Sequence, residues 1–218
     1  MDLDKIIEII GFLVGLAYLY FEYHANRLVW LMSVIMPMFS LWVYYRAGLY
    51  ADFGINIYYL AIAVYGYVCW SFNLRKKKSR QLPISRMPGR FYLPAVMIFG
   101  VIFVALALGL DNYTNSTVPW YDAFTTALSI VGLWMLARKY VEQWIVWFVV
   151  DIVCVGLYIY KQIPFYSVLY AVYTIIALFG YRKWLKLMAA GLRARLHKIN
   201  SHALNDMGAW LSVKFYIS

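Results

Sequence analysis

The sequence of 218 residues contains few charged residues and few cysteines. Only 14% of its residues are charged, whereas 64% are hydrophobic and 20% are aromatic. About a quarter of the residues of a soluble domain are charged and about half are apolar, so this composition excludes an ordinary soluble protein. Its two cysteines, Cys69 and Cys154, both lie in apolar stretches and are predicted to be packing residues. With no cysteine in an outside loop, a disulfide framework is excluded.

Motifs for nucleotide hydrolysis and for metal binding are also absent from the sequence. No glycine-rich loop is followed by Lys and Ser or Thr, so ATP-driven transport within this chain is not expected. His24, His197 and His202 all lie outside the apolar stretches, which argues against a metal centre within the membrane. The sequence therefore predicts a protein that is not an enzyme and that needs no cofactor or metal.

Long apolar runs dominate the chain. A helix that spans a bilayer needs about 20 predominantly apolar residues, and seven stretches are long enough. They are too long and too uninterrupted for barrel strands, so the predicted fold class is an all-α integral membrane protein. Pro37 lies in the middle of the second stretch and predicts a kink there. The seven predicted transmembrane helices are residues 6–23, 28–45, 53–72, 91–110, 119–137, 143–160 and 164–181.

Positive charge is distributed unevenly over the predicted loops. One side of the seven spans has only Lys5, Arg46 and Lys161, and the other side has the rest of the 20 Lys and Arg residues. Because basic residues in short loops mark the cytoplasmic side, we expect the N-terminus outside and the C-terminus in the cytoplasm. The net charge of +10 is then explained by topology, and no nucleic-acid partner is expected. Residues 182–218 are predicted to be a basic cytoplasmic tail that lies on the anionic inner leaflet.

The first three and last three predicted spans resemble one another. Two triplets joined by one linking helix run the same way across the membrane, which is the parallel-repeat arrangement of SWEET transporters. We therefore expect a 3+1+3 fold with a first bundle at 6–72, a linking helix at 91–110 and a second bundle at 119–181. A substrate site is expected between the halves. At a separation of 117 residues Gly15 aligns with Gly132 and Trp30 with Trp147, and at 114 residues Gly66 aligns with Gly180 and Trp70 with Trp184.

Asp151 lies in the middle of a predicted span, where a charge costs about 2.5–3.5 kcal/mol and faces the bundle interior or a cavity. Trp144 and Trp147 precede it on the same helix face. Aromatic faces attract cations, and a carboxylate can bind ribose hydroxyls or offset positive charge. The three residues predict a site for a flat cationic ring, such as a pyridinium or thiazolium vitamin. The alternatives are an interfacial position for Trp144 and a structural hydrogen bond for Asp151.

Four further residues are candidates for the same site. Trp30 is the aligned partner of Trp147, and Asn56 places an amide within the third span beside Tyr59. Tyr173 occupies a comparable place in the second half. The alternatives are an interhelical hydrogen bond for Asn56 and packing for the two tyrosines.

These residues resemble the PnuC-type vitamin transporter family, whose best-known members carry nicotinamide riboside. The resemblance covers roughly residues 6–186. It is densest in Glu142-Gln-Trp144-Ile-Val-Trp147-Phe-Val-Val-Asp151, which is similar to the family's E-x-W-x-x-W-x-x-x-D/N block. It is looser at Asn56-Ile-Tyr58-Tyr59 and at Tyr65-Gly66-Tyr67-Val-Cys-Trp70.

The resemblance implies facilitated diffusion of nicotinamide riboside across a bacterial inner membrane, with Trp144, Trp147 and Asp151 in contact with the vitamin. It also implies that a cytosolic kinase traps the substrate. Gly132 departs from the family because a polar residue, often Gln, is expected there in nicotinamide riboside carriers, which leaves thiamine as an alternative substrate. A seven-helix receptor or anchor without transport would explain the helices but gives no reason for the repeat. The expected partners are the vitamin, the lipid bilayer and the kinase, and the oligomeric state, a homo-oligomer included, stays open.

Overall fold

The computed structural model describes residues 14–46, 50–72, 82–114, 117–162 and 164–217. Within them the chain is helical and has no β-sheet. Residues 6–13 of the first predicted span, residues 73–81 and residues 115–116 lie outside the described residues. The helices are α1 at residues 14–23, α2 Leu28–Arg46, α3 Tyr50–Ser71, α4 Tyr92–Tyr113, α5 Pro119–Ala137, α6 Gln143–Tyr160 and α7 Pro164–Ile217, with a short 3-10 turn Gly89–Phe91 before α4.

Two tight corners, one between α1 and α2 and one between α5 and α6, have the same backbone geometry. Ala25 and Lys139 adopt left-handed conformations with φ of 52° and 54°, which L residues other than glycine rarely adopt. Each helix is closed by the same pattern of hydrogen bonds, and the equivalent residues are 114 positions apart. The Asn26 N–H donates to the Phe21 carbonyl at 2.8 Å, and the Tyr140 N–H donates to the Met135 carbonyl at 3.0 Å.

Each half of the molecule packs a tryptophan flat against a glycine of a neighbouring helix. Trp144 of α6 lies on Gly180 of α7, where an alanine Cβ would be 2.7 Å from three ring atoms. Trp30 of α2 lies even closer to Gly66 of α3. These pairs are again 114 positions apart, so the contacts match Trp30 with Trp144, whereas the sequence alignment matched it with Trp147. The packing of the helices shows which residue of the second half corresponds to Trp30. An alignment of similar apolar segments cannot determine this correspondence.

Two further tryptophans join the halves reciprocally. The Trp70 Nε1–H donates to the carbonyl oxygen of Leu136 at 3.2 Å, and the Trp184 Nε1–H donates to the carbonyl oxygen of Glu22 at 3.2 Å. The two donors and the two acceptors are each 114 positions apart. Their rings meet the first pair edge to face, with centroids 5.7 Å apart for Trp30 and Trp70 and 5.8 Å apart for Trp144 and Trp184. These four buried indoles form the centre of the core.

Two described helical segments are long and apolar enough to cross a bilayer by hydropathy alone. They are Gly89–Tyr113, with a mean hydropathy of 2.6, and Gln143–Tyr160, with 1.8. Among the other helices, α3 contains five tyrosines, which lower its hydropathy. The first segment exposes large apolar side chains, including Leu93 at 68% and Val101 at 71%. Such a continuous apolar face is unfavourable in water, and lipid is the solvent that suits it.

The last helix is much longer than a bilayer is thick. α7 has 54 residues, which at 1.5 Å per residue is about 80 Å, against a hydrocarbon core of about 30 Å. Every residue from 189 to 197 is exposed. The segment predicted as a basic tail therefore continues α7 as a helix, because hydropathy marks where an apolar stretch ends but not where a helix ends.

The loop before α4 is attached to the corner between α5 and α6. The Ser85 N–H donates to the Lys139 carbonyl and the Val141 N–H donates to the Ser85 carbonyl, both at 3.0 Å. The carboxylate of Glu142 accepts the Met87 N–H at 2.9 Å. Glu142, the acidic residue of the segment that resembles the PnuC-type family, thus has a structural role at this corner.

Candidate functional site

A cavity of about 250 Å³ lies between α1, α5, α6 and α7. Its walls combine indole rings, carboxyl groups and hydroxyl groups on an otherwise apolar surface. The aromatic and polar side chains that line it are Tyr18, Glu22, Ser129, Trp144, Trp147, Asp151, Tyr170 and Tyr173. A partly apolar pocket of this kind with a few convergent polar groups is a typical small-molecule site.

The two indoles of α6 are held by small residues on neighbouring helices. Trp144 is only 2% exposed and packs on Gly180, so it is not an interfacial residue facing lipid. Trp147 lies beside α5, where an alanine Cβ at Gly132 would be 3.6 Å from its ring. Neither indole N–H has a hydrogen-bond partner among the described residues. Both buried donors therefore have hydrogen-bonding capacity that the described residues leave unused.

Asp151 and Glu22 bring two carboxyl groups to the same cavity. Both side chains are buried, at 6% and 2% exposure, and both line the cavity. The Glu22 carboxyl group also lies near the amide of Gln143, and its Oε1 has no hydrogen-bond partner among the described residues. The residues that line the cavity include no Lys or Arg in the described part of the chain. The site is therefore suited to a cation.

Basic residues near the two ends of α6 have other partners. The Lys161 Nζ bonds Asp122 at 3.1 Å, and the Arg138 Nη1 donates to the hydroxyl oxygen of Tyr65 at 3.0 Å. The Lys139 Nζ lies 4.2 Å from the ring centre of Trp70, in a buried position that lowers its pKa to about 8. These three cations are held away from the cavity.

Six of the seven predicted site residues fall into two groups. Trp144, Trp147, Asp151 and Tyr173 line the cavity just described. Trp30 and Tyr59 line a second cavity of about 260 Å³, which also includes Ser33 and Pro37. Asn56 is buried but lines neither of the two. Gly15 and Tyr18 of α1 belong to both walls, so α1 separates the cavities.

Sequence reasoning missed Glu22 as a site residue because it lies near the end of a predicted span. In the structure that end is covered by Trp184 of α7 and is buried in the protein. A signal was nevertheless present, because Gly15, Tyr18 and Glu22 have the same i, i+3, i+7 spacing as Trp144, Trp147 and Asp151. The residues of each triplet lie on one helix face.

Comparison with known proteins assigns the chain to a transporter family. The sequence matches the nicotinamide mononucleotide transporter family over residues 5–186. The chain belongs to this family. Its members are transporters and not enzymes, which confirms the resemblance to PnuC-type proteins inferred from the sequence and makes the chain a helical membrane protein.

Individual members of this transporter family are distant in sequence. The nicotinamide riboside transporter PnuC of Escherichia coli (strain K12) is 25% identical over an alignment of 166 residues, and the match covers 66% of this chain and 70% of that protein. The riboflavin/roseoflavin transporter RibM of Streptomyces davaonensis is 25% identical over 178 residues, 81% of this chain and 83% of its own length. A crystal structure of the vitamin B3 transporter PnuC shares the fold, with a TM-score of 0.59 at 22% identity, and covers 81% of this chain and 79% of that one.

Proposed function

We propose that the protein carries nicotinamide riboside into the cytoplasm by facilitated diffusion and that a cytosolic kinase phosphorylates the vitamin after entry. The observation that carries this proposal is the cavity in which two indoles and a carboxylate meet without a basic side chain among the lining residues. The PnuC relative from Escherichia coli is a nicotinamide riboside transporter by name.

The cavity offers each part of this vitamin a chemically suitable partner. The pyridinium ring stacks on Trp144 or Trp147, which contributes about 0.5–2 kcal/mol through the attraction of a cation to an aromatic face. The carboxylate of Asp151 accepts hydrogen bonds from ribose hydroxyls, and the free indole N–H groups donate to ring or amide oxygens. No ATP is required in this mechanism, because phosphorylation inside the cell removes the free vitamin and maintains the gradient.

The proposed transporter has a 3+1+3 parallel repeat, with 6–72 and 119–181 as its two halves and 91–110 as the linking helix. The two similar corners and the reciprocal bonds of Trp70 and Trp184 support this arrangement. The distribution of basic residues supports an outside N-terminus and a cytoplasmic basic tail at 182–218, in a bacterial inner membrane. The candidate cavity then lies between α1 of one half and three helices of the other.

Uptake of labelled nicotinamide riboside into vesicles that contain the purified protein tests the proposal. We expect Trp147→Ala and Asp151→Ala to abolish uptake because each removes a group that contacts the vitamin. Ile152→Ala is the matched control, since Ile152 neighbours Asp151 on α6 but is 47% exposed on the outer surface. Unchanged uptake in both site variants would overturn the assignment of the cavity, and binding without uptake would favour a receptor.

Thiamine is the second candidate substrate, and Gly132 favours it. An alanine Cβ at this position would be only 3.0 Å from a methyl group of Val146, so the Gln expected in nicotinamide riboside carriers would require Val146 to shift. The RibM relative carries riboflavin by name, so the substrate varies among relatives. Calorimetry with nicotinamide riboside, thiamine and riboflavin in parallel decides among them, because the transported vitamin is expected to bind most tightly.

A further inference from the structure

Glu22 is an acidic side chain that the proposed contacts with the vitamin leave unused. It lies on α1, faces the cavity and is 98% buried, since only 2% of it is exposed. Its Oε1 has no hydrogen-bond partner among the described residues. An unpaired carboxylate oxygen at this depth is costly, so a bound ligand that donates to it gains a favourable contact.

The charge balance of the cavity defines the chemistry of that ligand. Glu22 and Asp151 line the same cavity, and the described lining residues provide no Lys or Arg to offset them. The nearby basic residues Lys161, Arg138 and Lys139 are engaged elsewhere. Gln143 next to Glu22 offers an amide but no charge. A cation that enters from outside offsets the charge of the two carboxylates when both are ionised.

We propose that Glu22 is a specificity-determining residue that, together with Asp151, selects substrates with a permanent positive charge on the ring over neutral rings of the same shape. This inference rests on the proposed function and extends it to the way the charge is recognised. The two carboxylates come from α1 and α6, so the cation of the substrate sits between helices of different halves. A neutral ring can stack on the same indoles but gains nothing from the acidic pair.

The test compares nicotinamide riboside with its dihydro form, which has the same heavy atoms but a neutral ring. The ratio of their two dissociation constants is measured by calorimetry on the full-length protein in detergent. The variants are Glu22→Gln, which keeps the size and removes the charge, and Glu22→Asp, which keeps the charge. Glu142→Gln is the matched control, because the carboxylate of Glu142 bonds the Met87 N–H outside the cavity.

We expect the unmodified protein to prefer the cation by at least about tenfold, a free-energy difference of about 1.4 kcal/mol. Glu22→Gln should lower this preference at least about threefold by weakening the cation alone, whereas Glu22→Asp and Glu142→Gln should retain it. Equal weakening of both ligands, or an unchanged ratio, would show that Glu22 is structural and would overturn the inference while leaving the proposed function intact. If the unmodified protein binds neither ligand, the proposed function fails and the inference fails with it.

Thermal unfolding of each variant separates a folding defect from a change in recognition. The backbone carbonyl of Glu22, which accepts the Trp184 Nε1–H, is unaffected by side-chain substitution, so we expect Glu22→Gln to remain folded. The dihydro form serves as a second control within the same sample, since a folded site still stacks the neutral ring.

Discussion

Replacing Gly180 with alanine provides a direct test of how the candidate site is held together. An alanine Cβ would lie 2.7 Å from three ring atoms of Trp144, about 1 Å closer than ordinary contact between carbon atoms. These atoms belong to a rigid fused ring, so the side chain cannot bend away. Either α7 must move away from α6 or the indole must tilt into the cavity.

The expected cost is that of overpacking a close-packed core, about 1–3 kcal/mol. For a chain of this size 1 kcal/mol lowers the Tm by about 2–4 °C, so the Tm should fall by roughly 2–12 °C. Displacement of Trp144 should also weaken vitamin binding by about tenfold, since its ring forms one wall of the site. Gly66→Ala should lower the Tm at least as much, because it meets Trp30 more closely, but should leave vitamin binding nearly unchanged.

Thermal unfolding in detergent and calorimetry with the vitamin measure the two effects separately. Gly156→Ala is the control, since a Cβ at this exposed position on α6 meets nothing within 4 Å. An unchanged Tm for Gly180→Ala would contradict the close packing of α6 on α7. A lowered Tm with unchanged affinity would show that Trp144 supports the core without contacting the vitamin.

Three further substitutions test the frame of the molecule by thermal unfolding. Trp184→Phe removes the indole N–H that bonds the Glu22 carbonyl and should cost about 1–3 kcal/mol; a Tm equal to that of the unmodified protein would refute the link between the halves. Ala25→Gly relieves a left-handed φ of 52° and should stabilise the corner by about 1 kcal/mol, so a lower Tm would contradict this geometry. Glu142→Gln weakens a charge-assisted bond to the Met87 N–H and should cost about 1–2 kcal/mol without changing vitamin affinity, and a large affinity change would place Glu142 in the site.

The helices were largely predictable from the sequence because apolar runs and breaks coincide with their ends. The predicted spans 119–137 and 143–160 have the same bounds as α5 and α6, since Pro119 begins one and a basic corner separates them. The extension of α7 beyond residue 181 was not predictable from hydropathy. The sequence after this point contains good helix formers and no proline, so the helix continues where the apolar stretch ends.

The candidate site was predictable only where its residues share one helix. Trp144, Trp147 and Asp151 lie on one face of α6, and their spacing is visible in the sequence. Glu22 reaches the cavity from another helix, and its burial depends on the packing of α7 over the end of α1. Trp30 was expected in the same site, but an alignment shows which positions are equivalent and not which of them share a cavity.

The two cavities have a common frame but different chemistry. Trp30 and Tyr59 line the second cavity. The residues 114 positions later, Trp144 and Tyr173, line the first.

Ser33 and Pro37 also line the second cavity. The residues 114 positions later are Trp147 and Asp151, which line the first cavity. The second cavity therefore lacks the added indole and the carboxylate among its described lining residues, although it keeps the buried Trp30 indole with its free N–H. A pocket with an aromatic wall but no acidic group attracts a cationic ring less strongly than one with both. Trp30 and Trp144 thus give each cavity a buried indole. Only the first cavity has Asp151, whose charge we propose helps to select the substrate.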